Sequence, residues 1–304
     1  EIATANALKN ALGTYPQGWR VPLVYPRDGE EFECFVRLTG VHHEGELAAL
    51  VEGEPEMPLP ERQPGKPEEK PSKDLERSVA KAGVKPKLPA AIEKVYEPRS
   101  GYANYWFNRY HQQRVWNGYL SRGDFAGIGW NWKITGKTAD GGEFDVALTE
   151  DRGTITTPVG RSEARFGLSL NDTLSPPRSG GLLAALHLWQ RLVLVGPRQF
   201  GEVYYYGALP WPGDDRMADC LVGIHGGVET RFYFDPAEGD LVGIEFQAAD
   251  DEDPCEIYFS DIRPVDGRRL PHHWLIRHGD ETFADVTISD FAVAGAAPRE
   301  EASP

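Results

Sequence analysis

Apolar and polar residues alternate along most of the stretch 229–288. Val242, Ile244 and Phe246, for example, recur at every second position. This spacing puts one face of a strand toward an interior and the other toward water. Glycine-containing pairs such as Asp266-Gly267 separate the alternating runs, as in tight hairpins. The pattern predicts a meander of antiparallel strands.

The same alternation occurs earlier in the chain. In residues 127–137, Ile128, Trp130, Trp132 and Ile134 share one side of a predicted strand. The further predicted strands in this half and the middle of the chain are 144–148, 154–159, 164–170, 203–206 and 219–224.

Two segments have helical spacing instead. Residues 102–122 carry apolar side chains at intervals close to 3.6, which favours an amphipathic helix. Residues 182–195 are apolar nearly all round, begin after Ser179-Gly180-Gly181, and meet the helix stop Gly196-Pro197. A helix apolar on every side must be covered on every side, so the second helix is predicted to be buried.

These elements predict a mainly β (α+β) fold. The sheet is expected to be strongly curved and antiparallel, or an open half-barrel, wrapped round helix 182–195. The expected order is a helix, roughly five strands, the buried helix and roughly six more strands. Such a sheet would present an apolar concave face, which is a common site for greasy ligands.

Composition divides the chain into four zones. Residues 1–52 are a compact segment with a predicted helix at 2–12 and strands at 21–25 and 33–38. Residues 53–98 are rich in Pro, Glu and Lys and are expected to form an extended, disordered linker. Residues 99–291 form the large β domain, and 292–304 a flexible tail.

Charge and composition exclude several classes of function. The formal net charge of −15 disfavours nucleic acids and anionic membrane surfaces as partners. No run of 18 apolar residues occurs, so no membrane span is predicted. The three cysteines lack metal-ligand spacing, and Cys220 and Cys255 are expected as buried free thiols, with a disulfide between them as the alternative.

Neither a catalytic nor a metal site emerges from the motifs. Neighbouring histidines, as in His42-His43 and His272-His273, point to opposite faces of a strand and so do not favour one metal ion. Ser179-Gly180-Gly181 lacks the preceding Gly-Asp or Gly-Asn of a serine nucleophile motif and is interpreted as a helix N-cap. We therefore predict no catalytic residue, no metal, no cofactor and a chain that is not itself an enzyme.

Aromatic and large aliphatic side chains are the candidate binding residues. The composition includes 8 Trp, and aromatic residues make up 11% of the chain. The residues predicted to line the concave face are Trp130, Trp132, Leu186, Trp189, Tyr204, Tyr206 and Phe246. The alternative interpretation is an ordinary packed aromatic core.

The N-terminal segment resembles the C-terminal half of a PDZ domain of HtrA-like serine proteases. The matching features are the helix, the Gly18–Leu23 strand start, the Arg27-Asp28-Gly29 hairpin and the Val36–Leu38 strand. The resemblance implies a peptide-binding remnant, although the carboxylate-binding loop and the protease nucleophile motif are absent from this sequence.

The end of the large domain resembles lipoprotein-sorting-like β domains of the LolA type. Phe259, Asp261, Arg263, Val265, Gly267 and Pro271 match a Phe-x-Asp-Tyr-Arg-x-Val-x-Gly-x-x-x-Pro pattern, with Ile262 in the aromatic position. The resemblance implies a curved sheet around a helix with an apolar concave face. The order of a PDZ remnant, a linker and this domain is similar to large extracytoplasmic proteins of planctomycete-like bacteria.

Three functional hypotheses follow. The first is a periplasmic or otherwise extracytoplasmic bacterial module that is not catalytic and binds an acyl chain, a hydrophobic peptide or a partner protein. The second is the regulatory C-terminal part of an HtrA-like serine protease. The third is a structural subunit whose aromatic residues form an interface within a larger complex.

Overall fold

The computed structural model describes residues 4, 20–27, 29–38, 90–125, 127–211, 216–249 and 252–295. The predicted helix 2–12, most of the predicted linker and His42-His43 lie outside these residues. Strands β1 (Arg20–Arg27) and β2 (Glu30–Arg37) form a two-stranded sheet, which confirms the hairpin predicted around residues 27–29. The rest of the PDZ resemblance stays an expectation.

The described part of the large β domain has two long helices and eleven strands. A short helix α1 (Ala90–Glu93) precedes it. Its elements are α2 (Tyr105–Leu120), β3 (Ile128–Thr138), β4 (Glu143–Leu148), β5 (Arg152–Thr157), β6 (Gly160–Arg165), α3 (Leu182–Phe200), β7 (Glu202–Pro210), β8 (Met217–His225), β9 (Val228–Phe234), β10 (Leu241–Gln247), β11 (Cys255–Val265), β12 (Arg268–His278) and β13 (Glu281–Gly295).

The eleven strands form one open antiparallel sheet in the order β6-β5-β4-β3-β13-β12-β11-β10-β9-β8-β7. Helix α3 carries the chain from the β6 edge to the β7 edge, and the last strand returns to lie between β3 and β12. Because α3 contacts β3, β5 and β6 in one half of the sheet and β7–β10 in the other, the sheet curves around it. The predicted fold class, a mainly β fold with a curved open sheet around a helix, is confirmed.

Short turns allow the strands to follow one another closely. Two of these turns, Gly226-Gly227 and Asp266-Gly267, place both central residues at positive φ. That conformation matches the twist of two-residue hairpins, and glycine adopts it without a steric penalty. A two-residue turn joins β5 to β6, so β6 begins at Gly160. The strand predicted at 164–170 was therefore placed too late in the chain, since β6 ends at Arg165.

Helix α3 is buried almost completely, as its sequence predicted. Residues 182–190 are all buried. The N-cap residue is Gly181, which makes no side-chain cap hydrogen bond, but the Ser179 hydroxyl two residues earlier accepts a hydrogen bond from the Leu182 amide at 3.1 Å. Gly196-Pro197 produces a kink where a helix end was predicted, since Gly196 is non-helical at φ 67 and a further turn follows.

Helix α2 packs against β7 and β8 and covers a free edge of the sheet. The Asn108 amide donates to the Tyr205 carbonyl at 2.7 Å and accepts from the Tyr205 N–H at 3.1 Å. Gln112 donates to the Val203 carbonyl at 2.6 Å. These side chains replace the hydrogen bonds that a neighbouring strand would make, which protects the edge from further pairing.

Candidate ligand-binding site

Large aromatic rings form the centre of the inner face of the sheet. Trp189 of α3 meets Trp132 of β3 edge-on, with ring centroids 5.3 Å apart. It also contacts Phe259 at 5.3 Å and Trp274 at 6.1 Å. These four side chains are at most 4% exposed, so they pack on one another within the core.

The predicted binding residues divide between the two faces of the sheet. Trp132 and Phe246 lie on the inner face, and Leu186 and Trp189 on α3 pack against it; all four are buried. Trp130 is half-buried and stacks on His187 of α3 at 5.9 Å.

Tyr204 and Tyr206 belong to the opposite, outer face. Tyr204 pairs with Val222, which pairs in turn with Arg231 on β9. Tyr206 sits in a bulge of β7, with the Arg231 guanidinium 5.3 Å from its ring centroid. Burial raises the pKa of the Tyr204 hydroxyl. The structure therefore brings five of the seven residues to the inner side, and ligand contact by any of them stays a prediction.

An apolar cleft of about 470 Å³ lies at one rim of the sheet, where three hairpins and the segment before α3 meet. Its volume falls in the ordinary range of small-ligand sites. The lining residues are Thr138, Ala139, Asp140, Phe144, Thr157, Pro158, Val159, Pro177, Arg178, Glu281, Thr282, Phe283, Ala284 and Asp285.

Phe144 joins this rim cleft to the aromatic core. Phe144 is one of the residues around the cleft and is itself fully buried. Its ring meets Trp274 edge-on at 6.2 Å, and Trp274 contacts Trp189 in turn. The base of the rim cleft is therefore held by the aromatic core.

Charged groups surround the apolar floor of the rim cleft. Arg178 and Glu281 form an exposed ion pair at 2.5 Å. The Thr138 hydroxyl donates a hydrogen bond to the Asp140 carboxylate, and this bond, with one from the Gly142 backbone, lowers the pKa of Asp140. Arg178 holds a left-handed backbone at φ 67, an uncommon conformation for a residue with a side chain.

His187 places a polar ring against the inner face. Its imidazole lies between Phe166, at 4.0 Å, and Trp130. Burial lowers the pKa of His187 to about 4, so the ring is neutral at ordinary pH. Its neighbour Gln190 donates to the Trp130 carbonyl at 2.7 Å, which fixes α3 to β3.

The predicted divergence of His272 and His273 is observed. His272 is buried and contacts Phe291, whereas His273 lies on the outer face. There, Nδ1 of His273 is 2.7 Å from the Ser260 hydroxyl and Nε2 is 2.7 Å from Asp285. The three residues are on adjacent strands, β11, β12 and β13, and Asp285 also lines the rim cleft.

Potential metal ligands and cysteines both lie within the described part of the chain. Within those residues, no group of three or more His, Cys, Asp or Glu side chains could hold a metal ion. Cys220 and Cys255 are both buried free thiols, as expected. They do not pair because Cys220 is on the outer face, opposite Tyr233, and Cys255 on the inner face, opposite Phe246. No helix within the described ranges has the length and apolar character needed to cross a membrane.

Sequence reasoning missed the rim cleft because its apolar lining comes from short turns and strand ends far apart in the chain. Phe144 and Phe283 are far apart in the sequence, on β4 and β13, and Pro158 and Pro177 belong to loops. Each one alone indicates a strand or a turn. Only the pairing of β13 with β3 brings the two phenylalanines to one rim.

No protein-family model matches the chain, and no curated protein matches it in sequence. Among solved structures, the chain is similar to a LolA superfamily protein from Nitrosomonas europaea, at 11% identity and a TM-score of 0.36, over 61% of this chain and 94% of that one. It is also similar to a putative outer membrane lipoprotein-sorting protein domain from Vibrio parahaemolyticus, at 10% identity and a TM-score of 0.30, over 65% of this chain and 96% of that one.

Proposed function

We propose that this protein is an extracytoplasmic bacterial binding module that performs no catalysis and holds an acyl chain or a hydrophobic peptide. The observation that carries the proposal is the rim cleft of about 470 Å³, whose floor, Phe144, rests on the buried aromatic core. The extracytoplasmic location rests on the sequence resemblance to lipoprotein-sorting-like domains.

The chemistry of the rim cleft suits an apolar ligand. Phe283, Ala284 and the two prolines provide apolar surface above the buried Phe144, while the carboxylates and Arg178 stand at the margin. Each buried methylene of an acyl chain contributes about 0.8 kcal/mol, so a few methylenes give useful affinity through shape alone. The marginal charges can orient a polar head without entering the apolar floor.

The predicted wall residues then act behind the ligand. Trp132 packs on Trp189, which contacts Trp274, and Trp274 supports Phe144. Leu186 of α3 and Phe246 of β10 belong to the same buried core. A rigid support of this kind keeps the rim cleft open, because a loosely packed floor would collapse into it. In this proposal only the floor and margin touch the ligand directly.

The test begins with the full 304-residue chain produced in a bacterial periplasm. Mass spectrometry of an organic extract should reveal a stoichiometric lipid or fatty acid. After delipidation, the fluorescent fatty acid cis-parinaric acid should bind, and Ala284→Phe, which fills the rim cleft, should weaken binding by about tenfold, the equivalent of two buried methylenes. Leu168→Ala is the control, because Leu168 is fully exposed and lies outside the rim cleft.

Two results would count against the proposal. An empty extract together with no binding of cis-parinaric acid by the folded chain would remove the binding function. Equal binding by wild type and Ala284→Phe would move the ligand away from the rim cleft. Circular dichroism on each variant separates loss of the site from loss of the fold.

A further inference from the structure

A second, polar groove runs along α2 beside the kinked end of α3. It consists of two adjoining clefts of about 470 and 360 Å³ that share Gln112, Gln113, Pro197 and Arg198. The Gly196-Pro197 kink ends the regular part of α3 and helps to form the wall of the groove. This feature, here named the α2 groove, is distinct from the rim cleft and shares no residue with it.

The α2 groove is basic in a strongly acidic protein. Its charged lining consists of Arg99, Arg109, Arg198 and Glu202, whereas the whole chain has a net charge of −15. Arg198 is exposed and forms no ion pair or hydrogen bond with another described side chain. A local reversal of charge attracts an anionic ligand and orients it on approach.

Rings and amides accompany the arginines along the groove. Tyr105, Arg109, Gln112 and Trp116 recur at helical spacing, so they form one stripe of α2. Arg99 stacks over Tyr105, 4.4 Å from the ring centroid, while it pairs with Glu202 at 2.7 Å. The exposed amides of Gln113 and Asn117 also line the groove.

We propose that the α2 groove binds an acidic oligosaccharide, a short chain of sugars that carry carboxylates. The negatively polarised face of the Trp116 ring attracts the C–H groups of sugar rings. Carboxamides such as Gln113 both donate to and accept from hydroxyl groups. The arginine forks match carboxylates in a bidentate manner, which lysines in the same places would not do. The two adjoining clefts suit successive sugar units.

An acidic peptide fits the same groove less well. Extended peptides commonly bind by adding a strand to a free sheet edge. Strand β7 is the edge beside the groove, and Asn108 and Gln112 already occupy its backbone groups at Tyr205 and Val203. An acidic peptide could therefore pair with the arginines but could not form backbone hydrogen bonds with β7 at Tyr205 and Val203. A sugar chain needs only the side chains of the groove.

The test is calorimetric titration of the full chain with tetragalacturonate at low salt. Binding is expected, and Arg198→Glu should weaken it by about tenfold, as for loss of one charged hydrogen-bonding group. Arg161→Glu is the matched control, since Arg161 is exposed on β6, lies outside the groove and changes the net charge equally. The neutral cellotetraose should not bind.

Several outcomes would overturn the proposal. The wild-type chain could show no binding of tetragalacturonate, or the Arg198→Glu and Arg161→Glu variants could bind it with the same affinity. Cellotetraose or a polyglutamate peptide could also bind as tightly as tetragalacturonate. Each of these results would contradict the proposal. Because cis-parinaric acid reports on the rim cleft and tetragalacturonate on the α2 groove, failure at one site leaves the other independently measurable.

Discussion

The imidazole of His187 lies parallel to the ring of Phe166, with centroids 4.0 Å apart and an interplanar angle of 15°. Nδ1 of His187 makes no hydrogen bond within the described part of the chain. A buried ring nitrogen without a partner is stabilised by neither water nor protein, so a charge on this ring is especially unfavourable.

This arrangement predicts a loss of stability in mild acid. Burial lowers the pKa of His187 from 6.5 to about 4. The unfolded chain then binds a proton at a higher pH than the folded chain. Stability is complete above pH 6.5 and is lost as the pH falls toward about 4, at up to about 1.4 kcal/mol per pH unit. Urea unfolding at about pH 7 and about pH 5 measures the difference.

His187→Phe should reduce that pH dependence, because phenylalanine can stack between Phe166 and Trp130 and has no nitrogen that binds a proton in either the folded or the unfolded chain. Burial also lowers the pKa of His225, so part of the dependence should remain in the variant. An unchanged difference between the two pH values would contradict the role assigned to His187.

Two leucines allow a matched test of the core. Leu186 is 0% exposed in α3, whereas Leu168 is 101% exposed after β6. Leu186→Ala should lower the free energy of unfolding by about 2–5 kcal/mol, since it leaves a cavity under the sheet. Leu168→Ala should change it by less than about 0.5 kcal/mol. Similar losses in both variants, measured by chemical denaturation, would show that α3 is not enclosed.

Removal of Asn108 should uncover the β7 edge. Asn108→Ala deletes both hydrogen bonds to the Tyr205 backbone and should cost about 1–3 kcal/mol. The exposed edge should also promote self-association at high protein concentration. Sedimentation velocity and denaturation measure the two effects. Asn117→Ala, an exposed position on the same helix, should leave both unchanged.

The ion pair between α2 and β8 should contribute more than a surface pair. Arg114 makes two hydrogen bonds of 2.7 and 2.8 Å to Asp219, whose side chain is 6% exposed, but Arg114 itself is 39% exposed. Discounted for that exposure, Arg114→Leu should cost about 1–3 kcal/mol.

Arg152→Leu is the comparison, because both members of the Arg152–Glu163 pair are about half exposed. It should cost about 0–1 kcal/mol. If the two substitutions reduce the unfolding free energy equally, Arg114 does not anchor α2 to the sheet.

Gly243 on β10 should not tolerate a side chain. A Cβ there would collide with the Trp211 ring and lie 2.8 Å from the Ile257 carbonyl oxygen. Gly243→Ala should therefore destabilise the protein by about 1–3 kcal/mol. Gly167→Ala, where a Cβ would meet nothing within 4 Å, is the control, and thermal melts of the two variants should differ clearly.

The strand pattern, the turns and the buried helix could be predicted from the chain alone. Alternation in Val242, Ile244 and Phe246 reflects a local geometric rule, and Gly226-Gly227 reflects a local steric one. The uniformly apolar 182–195 segment required burial whatever surrounded it. Gly196-Pro197 also predicts an interruption of this helix, although the sequence indicated a helix end and the structure has a kink.

Other features depend on tertiary structure. The alternation of side chains along a strand predicts that Tyr204 and Tyr205 point to opposite faces. Only the pairing of Tyr204 with Val222, and of Tyr205 with Leu221, shows that Tyr204 is on the outer face. The bulge after Tyr205 then turns Tyr206 toward Arg231. A bulge interrupts the two-residue period, so a pattern count does not assign such residues to a face.

The rim cleft illustrates the same division. The sequence determined that β3 and β13 are strands, because their alternation is a property of each segment by itself. Only the folded sheet decided that they pair, with Thr138 opposite Val286, and so placed Phe144 and Phe283 at one rim. The physical reason is that periodicity acts over neighbouring residues, whereas the choice of strand partner depends on how the whole core closes around α3.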